Sequence, residues 1–120
     1  MIKNTCDISC ELCSDCLVIT VGGEIDHHGA VYLRQRADEA IRSAAPQRLV
    51  LDMSAVSFMD SSGLGFIMGR FALMRELGGA TLVRDPAPCV ERVLKLTGFD
   101  KRVKIIKNHK TEKEYERQRI

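Results

Sequence analysis

Hydrophobic and polar positions change period several times along this chain, and each change marks an element. Cys6, Ile8, Cys10 and Leu12 alternate with Asp7, Ser9 and Glu11, the period-two pattern of a half-buried strand. Cys13-Ser14-Asp15-Cys16 reads as a hairpin turn into Leu17-Val18-Ile19-Thr20-Val21, so strands are predicted near residues 4–12 and 16–22. Over residues 28–44 the period lengthens, and Ala30, Leu33, Ala37, Ala40, Ile41 and Ala44 fall on one helical stripe. Pro46 ends that helix, because proline disfavours helical geometry in the residue before it. Leu49-Val50-Leu51 is a short unbroken apolar run, as expected of a central strand covered on both faces. A second helix is predicted from Ser62 to Leu77, stopped by Gly78-Gly79. A strand at 80–83 follows, then a short helix near 87–97 with Pro88 in its first turn and Gly98 after its end. The last strand is predicted at 103–106, and a polar helix over 109–118.

Alternating strands and helices imply parallel neighbours joined by right-handed crossovers. The predicted class is therefore α/β: a mostly parallel sheet of four to five strands, an antiparallel N-terminal hairpin at its edge, and about four helices. Residues 1–107 make one domain, long enough for a single packed core, and residues 108–120 a polar C-terminal helix or tail.

The second helix is apolar on two sides. Leu64, Ile67, Met68, Phe71 and Met74 form one stripe, read as the core face; Phe66, Arg70, Leu73 and Leu77 form another on the opposite side. Either neighbouring helices cover the second stripe, or it is an exposed apolar strip rimmed by Arg70 that docks a protein partner. The second reading expects Phe66 and Arg70 to be accessible and in contact with that partner.

Composition narrows the function classes. The formal charge is only +2, and the tail from Lys107 carries it, with five Lys/Arg against three Glu. A neutral body with two Tyr and no Trp offers neither a basic face nor a stacking platform, so no nucleic acid is expected as a partner. No apolar run approaches the roughly 20 residues of a membrane span, and the N-terminus lacks a basic-then-apolar export signal. The expectation is a cytoplasmic protein with no membrane partner. Four cysteines, Cys6, Cys10, Cys13 and Cys16, have a spacing that suits thiolate ligation of zinc or iron. On an extended strand, however, Cys6 and Cys10 lie about 13 Å apart at roughly 3.3 Å per residue, too far to share one ion. They read as small buried hydrophobes, and no metal or other cofactor is expected. Adjacent His27 and His28 with Asp26 lack a third ligand.

The chemistry concentrates in Phe58-Met59-Asp60-Ser61-Ser62-Gly63-Leu64-Gly65, which joins a strand to a helix. Two hydroxyls and a carboxylate stand at a helix N-terminus, where free N–H groups and the macrodipole favour negative charge. A serine there can cap the helix or carry a phosphate. The segment resembles the regulatory serine motif of bacterial anti-sigma-factor antagonists, STAS domains of the sporulation and general-stress type, and is closest to the anti-sigma F factor antagonists. Gly23-Glu24-Ile25-Asp26-His27-His28 resembles the family's other signature, at the matching distance upstream. The resemblance covers roughly residues 17–106.

The resemblance implies that Ser61, directly after the aspartate, is phosphorylated by a cognate anti-sigma factor that is a serine kinase. Ser62 is then expected as the capping residue, while Gly63 and Gly65 leave room for another chain's backbone. Asp26 is either a helix N-cap or the carboxylate that similar domains hold beside the phosphoserine; Asp60 adds a second negative charge. The implied function is a partner switch. The free form binds the anti-sigma factor and releases a sigma factor, phosphorylation at Ser61 ends binding, and a PP2C-type serine phosphatase restores it. An alternative is a STAS subunit of another assembly, a stress-sensing complex or a lipid-transport accessory protein.

Enzyme motifs are absent from the same stretch. Met59-Asp60-Ser61-Ser62-Gly63 lacks the first glycine of G-x-S-x-G, and Gly63-Leu64-Gly65 is neither a phosphate loop nor a dinucleotide fingerprint. The chain reads as a kinase substrate, not a catalyst.

Overall fold

The computed structural model describes residues 5–107. Nine short elements follow in order: β1 (Cys6–Cys13), β2 (Cys16–Ile25), α1 (His27–Ala44), β3 (Arg48–Met59), α2 (Ser61–Glu76), β4 (Ala80–Arg84), α3 (Pro88–Thr97), a single 3₁₀ turn (Phe99–Lys101) and β5 (Lys104–Ile106). Five strands form one sheet in the order β1-β2-β3-β4-β5, with β1 antiparallel to β2 and every later pair parallel. Three α-helices are present among the described residues rather than about four. The fourth was expected over 109–118, which lies outside them.

Local signals account for the boundaries. The two-residue turn Ser14-Asp15 puts Cys13 opposite Cys16, with Ser14 at φ +60°. Ala45, held out of helical geometry by Pro46, adopts φ +47° and still donates its N–H to Ile41 O at 2.8 Å. After α2, Gly78 takes φ +84° and the Gly79 N–H reaches back to Met74 O at 2.7 Å, closing the helix with a left-handed cap.

Strands in sequential order send every right-handed crossover the same way, which places α1, α2 and α3 on one face of the sheet. Packing agrees. Leu17, Ile19, Val21, Leu49, Leu51, Met53 and Val83 point to that side and join Leu33, Ile41, Ile67, Met74, Val90 and Leu94 in one core. The other face is not covered by a helix among the described residues, so the expectation of a central strand covered on both faces is corrected. β3 is also much longer than Leu49-Val50-Leu51. Beyond Asp52 it pairs only with β2, through two register irregularities, and this extension carries the chain out to Asp60.

Candidate functional site

Parallel pairing sets the geometry of the site. Ile25 and Met59 are partners at the ends of β2 and β3, so the next residues, Asp26 and Asp60, leave the sheet side by side. The Asp60 N–H donates to the Ile25 carbonyl at 3.3 Å, tying the two strand ends together. Each aspartate then caps the helix it precedes. Asp26 Oδ1 accepts from the Gly29 N–H at 2.8 Å, and Asp60 Oδ1 accepts from the Ser62 N–H at 2.8 Å. Two helix N-termini therefore open at one end of the sheet, each already holding a carboxylate.

This arrangement corrects the role given to Ser62. Asp60, not Ser62, caps α2. Ser62 is half-buried and lines a groove of about 250 Å³ between α1 and α2, together with His27, Arg34 and Phe66. Ser61 is the first residue of α2 and is exposed; among the described residues its hydroxyl makes no hydrogen bond.

Gly63 serves the chain's own packing. A Cβ there would collide with the Met59 side chain and lie 3.4 Å from Ile25 Cγ2, so glycine is what lets α2 start this close to the sheet. Gly65 is exposed and has nothing within 4 Å of a would-be Cβ, leaving open the backbone approach expected of both glycines.

The expected docking stripe on α2 is overturned. Phe66 is 3% exposed and Arg70 5%, and Leu73 is buried with them; only Leu77 is exposed. Phe66 lies under the Arg70 guanidinium at 5.2 Å from the ring centroid, and Arg70 Nε sits 2.8 Å from Asp38 Oδ1 on α1. That contact is ionic, with its N–H not aimed at the oxygen. Burial lowers the pKa of the guanidinium and Asp38 opposes the shift. The expected core stripe is corrected in turn: Ile67 and Met74 are fully buried, Leu64 and Phe71 half-buried, and Met68 is 41% exposed. α2 packs between α1 and α3, so its buried arc is wide and centred on Gly63, Phe66, Ile67, Arg70 and Met74.

The accessible side of α2 runs through Ser61, Gly65, Met68 and Ala72. On β3, Phe58 is 49% exposed, and its pairing with Glu24, next to the inward-facing Ile25–Met59 pair, turns it to the sheet face away from α2. Sequence reasoning missed both apolar groups. Met68 stands seven residues after Ser61, two helical turns on the same face, which is the signal that places it there.

The cysteines divide between the two sides of the hairpin. Cys6 is buried against Gly29, and its thiol pKa is raised by burial, then by Asp26 and Asp7. Burial also raises Cys10, with Arg36 opposing. Cys13 and Cys16 face the other way. Among the described residues no three His, Cys, Asp or Glu side chains come together as a metal site, and no helix is long and apolar enough to cross a membrane.

A fold with this strand order and two capped helix starts around an exposed serine has known relatives. The STAS-domain family profile matches residues 8–112. An anti-sigma F factor antagonist of Paenibacillus polymyxa is 40% identical over 92 residues, 77% of this chain and 79% of that protein. The solved structure of the anti-sigma factor antagonist SpoIIAA in its unphosphorylated form superposes with a TM-score of 0.73 at 28% identity, covering 94% of this chain and 96% of that one. The Bacillus cell fate determinant SpoIIAA in the phosphorylated form gives 0.68 at 27% identity, covering 95% and 100%. The chain belongs to the STAS-domain family and groups there with the anti-sigma-factor antagonists.

Proposed function

We propose that this protein is an anti-sigma-factor antagonist that works as a phosphorylation-controlled partner switch, with Ser61 as the phosphosite. One observation carries the reading. The Ser61 hydroxyl is exposed and unbonded among the described residues, at a helix start where Asp26 and Asp60 already occupy both caps. Unphosphorylated, the chain binds an anti-sigma factor, itself a serine kinase, and so frees a sigma factor. The partner meets Asp26, Asp60, Ser62 and the open backbone at Gly65, with Met68 supplying the apolar contact.

Phosphorylation adds about −1.5 to −2 charges near neutral pH. The Ser62 N–H at the start of α2 is already bonded to Asp60, so the helix has less to offer the phosphate, and two carboxylates repel it. Docking a partner over that cluster requires burying uncompensated charge, and affinity falls. The switch is local and asks for no rearrangement of the core. A PP2C-type phosphatase resets it. The chain is a substrate throughout and contributes no catalytic group.

The deciding experiment is phosphopeptide mapping after incubation with the cognate anti-sigma kinase and ATP. The expected result is one phosphate, on Ser61. A phosphate on Ser62, or none, refutes the assignment.

A further inference from the structure

The sheet face opposite the helices carries an ordered pattern that the partner switch leaves unused. The strand registers align Glu11, Val18, Val50, Leu82 and Lys104 in one row across all five strands. Its acidic end is on β1, its basic end on β5, and three apolar residues lie between. Val50 is only 8% exposed yet lies outside the core cluster, and half-buried Val18 and Leu82 flank it. No helix covers this row among the described residues.

From this row we infer that the open face is a self-association surface, and that its occupant is a second copy of this chain. A two-fold axis parallel to the strands and above Val50 turns the row end for end. Glu11 then meets Lys104 of the second copy, Val18 meets Leu82, and Val50 meets Val50. The Glu11–Lys104 pair forms twice, once at each edge, as an isologous interface requires. A two-fold axis across the strands would instead oppose Glu11 to Glu11 and Lys104 to Lys104, so charge selects the first arrangement.

Neighbouring rows tolerate it. Asp52 meets its counterpart near the axis, but in each copy Arg84 Nη2 neutralises it at 2.9 Å. Arg48 is likewise paired with Asp15 at 3.2 Å. Two sheets packed about 10 Å apart with strands inclined by roughly 30° match the usual geometry of stacked sheets.

The predicted association is weak. At about 4.8 Å per strand and 3.3 Å per residue, the patch is on the order of 400 Å² per copy, half of a standard interface. It also leaves Ser61 free in both copies, because α2 packs on the opposite face.

Sedimentation of the full chain under reducing conditions, from on the order of 10 μM to 1 mM, tests the inference. Reductant matters because exposed Cys10 and Cys13 would otherwise cross-link. The expected result is a mass rising with concentration from 13.4 kDa towards twice that value. Glu11→Lys and Lys104→Glu, both at exposed positions, should each raise the dimer Kd at least about tenfold without changing the melting curve. The double reversal should restore association. A wild-type chain monomeric throughout, with the face covered by residues 108–120 or reserved for another protein, overturns the inference. So does a dimer indifferent to the single reversals, or one the double reversal fails to restore.

Discussion

The backbone N–H of Asp60 donates to the carbonyl of Ile25 at 3.3 Å, and this one bond joins the two helix starts that make the site. It fixes the end of β3 against the end of β2, so the caps of α1 and α2 emerge as neighbours. The carboxylates of Asp26 and Asp60 are thereby brought together with the Ser61 hydroxyl at one end of the sheet.

The proposed switch rests on Ser61. Ser61→Ala should melt like the wild type and take up no phosphate from the cognate kinase. Ser61→Asp should fold and bind the anti-sigma factor weakly. Calorimetry, mass spectrometry and partner titration read these outcomes; wild-type affinity in Ser61→Asp would count against a charge-driven switch.

The capping aspartates separate stability from charge. Asp60→Ala should cost about 1 kcal/mol, the usual value of a lost N-cap, whereas Asp60→Asn keeps the acceptor and should cost little. Asp60→Asn also removes a negative charge beside Ser61. Its phosphorylated form should therefore bind the partner measurably better than the phosphorylated wild type, as titration calorimetry would show.

Faces of α2 are told apart by a pair of truncations. Phe66→Ala removes a ring that is buried beneath Arg70 and should cost roughly 3–5 kcal/mol of stability. Met68→Ala, on the accessible side, should leave the melting curve nearly unchanged and weaken partner binding by roughly 1–3 kcal/mol. The reverse pattern in urea melts and binding isotherms would restore the discarded stripe.

Acid sensitivity should be partly due to Asp52. Burial raises its carboxyl pKa, but hydrogen bonds from the Ser54 hydroxyl and N–H, and from Arg84, outweigh that and hold it below the ordinary 3.8. A depressed folded value means the stabilisation is full above 3.8 and is lost as pH falls through the lower folded value. Asp52→Asn should therefore flatten the fall in melting temperature between about pH 5 and pH 2. An unchanged slope would assign the acid sensitivity to other carboxylates.

Much of this protein is determined by its sequence alone, because the relevant signals are local. The hairpin at Ser14-Asp15, the helix ends at Ala45-Pro46, Gly78-Gly79 and Gly98, and the strand–serine–helix junction all depend on backbone preferences of a few adjacent residues. Those preferences act before any tertiary contact forms, so the element order and the α/β class were legible.

Three features were decided only by the tertiary structure. Asp60, Ser61 and Ser62 are consecutive and all able to cap; the Ile25–Met59 pairing ends β3 where it does and so gives the cap to Asp60. α2 is apolar nearly all round, so no hydrophobic period orients it, and contact with α1 and α3 turns Phe66 and Arg70 inward and Met68 outward. An unbroken run such as Leu49-Val50-Leu51 reads the same whether a helix or only neighbouring side chains cover its second face. One-way crossovers put every described helix on the same side, and Val50 is sheltered by Val18 and Leu82 within the row that bears Glu11 and Lys104.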